Sequence, residues 1–159
     1  MTLGERIAEQ HRRAYHGEAW HGPSVFELLE GVSAAKASAR PIAKGHTIWE
    51  LVLHLTSWET IVRSRLVGAP IEATPALDWP MPPAAAAKKA WDAACAALHE
   101  ASEATNVALA RMTDEKLLGV RPGTSGTYEE LAHGQVQHAL YHAGQIALLK
   151  KGPARTARR

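Results

Sequence analysis

The sequence predicts an all-α protein, a bundle of four long helices, and three observations carry this. Thr2 with Glu5, Thr47 with Glu50 and Thr127 with Glu130 each stand three residues apart at the head of an apolar segment, the spacing of a capping box. The segments that follow repeat apolar residues every three or four positions, the period of a helix rather than a strand. Between them lie proline- and glycine-rich breaks.

The first helix is expected from Thr2 to about Tyr15, with Leu3, Ile7, Ala8 and Tyr15 as its sparse apolar face. Trp20 to Pro23 breaks it, and a short helix follows from Ser24, its cap, through VFELLEGV. Pro41 to Gly45 is a loop. The second long helix runs from Thr47 to about Leu66, with Leu51, His54, Leu55, Trp58, Ile61, Val62 and Leu66 as a broad stripe. Gly68 to Pro83 reads as a loop. The alanine-rich third helix is expected from about Pro83 to Met112, burying Trp91, Cys95, Leu98 and Met112. Leu117 to Gly126 contains VRPGTSG, a turn with room for a short hairpin. The fourth helix runs from Thr127 to about Lys150, and Gly152 and Pro153 stop it.

At 159 residues the chain has the length of one domain with a sizeable core. Residues 1–152 are read as that domain and 153–159 as a basic tail. With 46% hydrophobic and 21% charged residues the composition is that of a globular chain, not a disordered one. The net charge of +2 is too small to point to nucleic acid, and the basic residues Lys150, Lys151, Arg155, Arg158 and Arg159 read as a solvated terminus. A single cysteine, Cys95, excludes an intramolecular disulfide. There is no signal-peptide core and no apolar run of membrane-spanning length, so a cytoplasmic protein is expected. Phosphate loops, dinucleotide fingerprints, G-x-S-x-G and HExxH are all absent.

The chemistry lies in the histidines. His138 and His142 are four apart on one helix face and can share one divalent ion. On spacing alone the pair has a plainer reading, with His142 at the surface and His138 hydrogen-bonded in the core. Gln135, His138, His142 and Gln145 make one polar stripe, and if it faces inward every member requires a partner. His54, set among leucines on the second long helix, is the natural third ligand. Glu50, one turn away, is either its hydrogen-bond partner or a carboxylate that holds the ring of a metal ligand from behind. Gln135 and Gln145 are the other candidates for orienting a ligand or substrate. Three histidines leave open positions on a metal, as catalytic sites do. Cys95 as a fourth ligand has no support from spacing. His16, just before WHGP, and His21, within it, are candidates for the mouth of a site. Most of the five tryptophans are expected in the core, with some lining a pocket near the metal.

Three stretches, HTIWELVLHLTSWE, HGQVQHALYHAGQIALLKK and WHGPSVFELLEG, resemble the DinB-like superfamily of metalloenzymes, also called DinB/YfiT-like, over about residues 2 to 151. The HxxxHxxQI pattern, joined to an upstream helical histidine, is its most specific element. The resemblance implies a four-helix bundle of the DinB/YfiT-like type, usually a homodimer. It also implies a histidine triad at His54, His138 and His142 binding nickel or zinc, with Gln145 matching the glutamine after the last ligand. Members with known activities carry out thiol-dependent transfer and isomerisation with low-molecular-weight thiols such as bacillithiol or mycothiol. The functions expected are therefore a metal-dependent thiol S-transferase or hydrolase, or else a non-catalytic stress-response or binding protein whose metal is structural. Nucleic-acid association through the basic tail is the least favoured.

Overall fold

The computed structural model describes residues 1–152; the basic tail read over 153–159 lies outside the described residues. Its helices are α1 (Leu3–His16), α2 (Val25–Leu29), α3 (Ala34–Ser38), α4 (Ile48–Leu66), α5 (Pro75–Asp78), α6 (Lys88–Ala110), α7 (Asp114–Leu118) and α8 (Tyr128–Lys151). The protein is all-α. α1, α4, α6 and α8 are the long elements; α1 and α4 each pack against both α6 and α8, so α1 faces α4 across the core.

Local chemistry explains where the long helices start. Thr2, Thr47 and Thr127 each cap a helix, and Glu5, Glu50 and Glu130 close the capping boxes from the other side. Glu27 does the same for the backbone N–H of Ser24 at 2.7 Å. α6 differs from expectation. It begins at Lys88, not Pro83, because residues 84–87 are exposed and have nothing to pack on. High alanine propensity does not extend a helix that gains no tertiary contact. From Trp91 onward α6 buries Ala94, Leu98, Ser102, Thr105 and Leu109 at helical spacing, ending at Ala110 with Met112 buried just beyond. Cys95 is only half-buried.

The 68–83 segment holds one helical turn, α5, capped by Thr74 with Pro75 at its first position. The 117–126 segment does not form a hairpin. A single antiparallel bridge joins Val120 to Thr127, and among the described residues there is no strand. Its tip is exposed and lacks the apolar face that would hold two strands together. Trp49 and Trp91 are buried and meet edge to face at 5.2 Å, with Trp91 Nε1 donating to the carbonyl of Val32. Trp20, in contrast, is 100% exposed and contributes nothing to the core. No helix among the described residues is long and apolar enough to cross a membrane.

Candidate metal centre

α4 and α8 pack side by side, and this brings His54 against the His138–His142 face. The Nε2 atoms of His54 and His142 each lie 3.0 Å from Nε2 of His138, and the three donor atoms lie within 4.8 Å of one another. Metal–nitrogen bonds of about 2.1 Å set neighbouring ligand nitrogens roughly 3 Å apart, so the spacing suits one ion.

The outer ring nitrogens decide what the inner ones carry. His54 Nδ1 donates to the carbonyl of Asp78 at 2.6 Å, and His142 Nδ1 donates to Oε1 of Gln145 at 3.0 Å. A neutral imidazole that spends its proton on Nδ1 presents a bare lone pair at Nε2. Two such lone pairs therefore converge on His138, which has at most one proton to offer at Nε2. One contact of the pair lacks a hydrogen bond, and a cation resolves the conflict. The residues present thus fit a divalent metal.

Burial keeps these rings neutral. It lowers the pKa of His54, against the raising effect of the Asp78 carbonyl and carboxylate, and that of His142, against its Gln145 bond. Burial, followed by the neighbouring rings of His142 and His54, lowers His138 to about 4. All three are therefore uncharged at neutral pH, the state a metal requires.

The loop between α4 and α6 completes the centre. Trp79 stacks on His54 at 3.8 Å and on His46 at 3.6 Å, a three-ring pile. Trp58 Nε1 donates to Oδ1 of Asp78 at 2.7 Å, so α5 is tied to α4 beside His54. A cavity of about 350 Å³ opens against His54 and His138, with Trp58, Val62 and Leu131 as apolar wall and Gln135 on its lining.

Other expectations land elsewhere. Glu50 neither bonds His54 nor backs a ligand ring. As the third residue of its helix its carboxylate turns back to the N-terminus, where Oε2 accepts from Thr47 N and Oε1 from Arg40. The partner of His54 is Asp78, twenty-four residues downstream, which no helical spacing could reveal. Gln135 is buried and donates to Oε1 of Glu59 at 2.6 Å, while Gln145 reaches the triad. His16 packs on Phe26 and His99, and His21 lines a different groove, so neither forms the mouth of the triad cavity. Cys95 is outside the histidine cluster, and burial raises its thiol to about 11, away from thiolate. His133 is exposed beside Glu129.

Sequence reasoning missed Glu59. It lies fully buried on α4 within reach of His11, yet in the sequence it is one acid among many. Comparison with known proteins places the chain by family alone, since no curated protein and no solved structure matches it. The family model that matches is that of the DinB superfamily, over residues 19–146, a span that includes all three clustered histidines. The chain belongs to the DinB superfamily.

Proposed function

We propose that this protein is a metal-dependent enzyme in which His54, His138 and His142 hold a divalent ion, nickel or zinc, for thiol transfer or hydrolysis. The observation that carries the reading is the cavity of about 350 Å³ lying directly against His54 and His138. A structural ion is enclosed by four protein donors, whereas three imidazoles beside open volume leave room for a reactant. When bound, such an ion lowers the pKa of a thiol or water and supplies a nucleophile at neutral pH.

The chain's own residues supply the rest. Asp78 and Gln145 hold two rings in the tautomer that directs Nε2 inward. Trp79 fixes the plane of His54 by stacking. Trp58, Val62 and Leu131 give the reactant an apolar wall. A low-molecular-weight thiol is the co-reactant proposed. A homodimer and a cytoplasmic location are proposed with it, on the family resemblance and on the lone cysteine.

The test pairs metal content with helicity and thiol transfer. The purified chain is expected to hold about one divalent ion, as a single three-histidine site requires. H54A/H138A/H142A is expected to lose it together with any transfer activity, while circular dichroism keeps most of its helical signal. If helicity collapses in step with metal loss, the ion is structural and the enzyme reading fails.

A further inference from the structure

Among the described residues four arginines are half-buried, and they divide into two pairs. Arg12 and Arg13 both grip Glu9. Arg65, on the last turn of α4, and Arg121, in the segment before α8, pair with no carboxylate among the described residues. They are nonetheless close: both line a cavity of about 330 Å³ with Tyr128. Arg121 also lines the cavity beside the histidines, so it forms a wall common to both.

Neither guanidinium is loose. Arg121 Nε donates to the carbonyl of Thr127 at 3.1 Å, and Arg65 sits over the face of Trp58 at 5.7 Å. Trp58 in turn lies 5.7 Å from the His138 ring, so one indole separates the arginine from the triad. The acids that share the histidine cavity are committed. Glu130 accepts from Thr127 N, and Asp78 accepts from Trp58. Burial, and then the charge of Arg121, lowers the pKa of Arg65. Two like charges held together beside apolar walls are costly without an anion, and two planar forks match an oxyanion in bidentate fashion.

We propose that Arg65 and Arg121 form an oxyanion subsite. It takes the carboxylate or phosphate head of a small substrate whose apolar stem lies along Trp58, Val62 and Leu131 toward His138. The substrate class is thus an amphiphilic small anion, not a neutral or cationic one. As a subsite of the enzyme this rests on the metal reading; as an anion site it does not need the metal.

The probes are hexanoate, hexanol, acetate and inorganic phosphate, titrated into the full chain after chelation while the Trp58 indole resonance is followed. Hexanoate is expected to saturate at a concentration about tenfold lower than hexanol, the scale of one charged hydrogen bond. R65Q and R121Q should each weaken hexanoate about tenfold with helicity unchanged, and R121K should fall between because it keeps charge and loses the fork. Divalent-metal affinity should be unchanged in R65Q and R121Q, since neither residue belongs to the histidine cluster, which separates this site from the metal site. Phosphate displacing hexanoate more strongly than acetate does assigns the head group to phosphate; the reverse assigns it to carboxylate, and either upholds the oxyanion subsite. Equal affinity for hexanoate and hexanol, or unchanged binding in well-folded R65Q and R121Q, overturns it even if metal binds as proposed.

Discussion

Both carboxylate oxygens of Glu59 lie 3.1 Å from Nε2 of His11, with α4 and α1 facing each other across the core and both side chains at most 1% exposed. Gln135 of α8 donates to the same carboxylate, and Thr105 of α6 donates to the Glu59 carbonyl at 3.0 Å. All four long helices therefore converge on one residue.

Removing one partner strands the other in a dry core. His11→Ala is expected to cost about 3–5 kcal/mol, the scale for leaving a buried carboxylate without its partner. Replacing both, as H11L/E59L, should cost less than the single change, because no charge is left unsatisfied. Urea denaturation reads both. A loss below about 1 kcal/mol for His11→Ala, the scale of an exposed pair, would remove the pair from the structural account.

Acid should destabilise the metal-free chain in two stages. His138 has a folded pKa of about 4, against 6.5 for an ordinary histidine. Between those values the unfolded chain binds a proton that the folded chain refuses, so stability falls as pH drops from about 6.5 toward 4. Glu59 follows. Burial alone would raise its pKa, but the His11 charge and the hydrogen bonds to it prevail and hold it low. Its contribution is complete above the ordinary carboxylate value of about 4.3 and is lost as pH falls through the lower folded value. Urea midpoints at intervals from pH 8 to 3 check the profile. H138F should reduce the slope of the upper stage, to which His54 and His142 also contribute, and an unchanged slope there would contradict the neutral-ring assignment.

Gln145→Leu keeps the size of the side chain and removes the acceptor that directs His142 Nδ1. Metal affinity is expected to fall about 10- to 100-fold, the usual cost of losing an outer partner of a ligand. Competition with a chromophoric chelator measures it. An affinity equal to wild type would mean that Gln145 does not set the tautomer.

Gly4 sits where α1 crosses the end of α6. A Cβ there would stand 2.5 Å from the carbonyl oxygen of Met112 and 2.7 Å from that of Leu109. Both atoms are backbone and cannot swing away, so Gly4→Ala should cost about 1–3 kcal/mol despite the better helix propensity of alanine. A thermal midpoint at or above wild type would show that α1 is free to shift.

The proposed homodimer predicts a light-scattering mass of twice the chain mass at micromolar concentration. A monomer throughout that range would reject it.

What the sequence determined by itself was local. Capping boxes at Thr2, Thr47 and Thr127 and the helical period of the apolar residues set where α1, α4 and α8 lie, because those signals act within a few residues of chain. The His138–His142 pair was legible for the same reason, being one turn apart on one helix. Propensity misled only where packing was absent, at the exposed alanines before α6. Everything that depends on contact across the core was decided by tertiary structure. Local spacing put Glu50 beside His54, but the capping box claims its carboxylate and Asp78 arrives from a separate turn. The Glu59–His11 pair, Trp79 over His54, and Arg65 near Arg121 join residues far apart in the chain, and only the packing of the helices and the loops between them makes them neighbours. Burial then lowers the pKa of His54, His138 and His142, and burial is a property of the assembled fold, not of any segment.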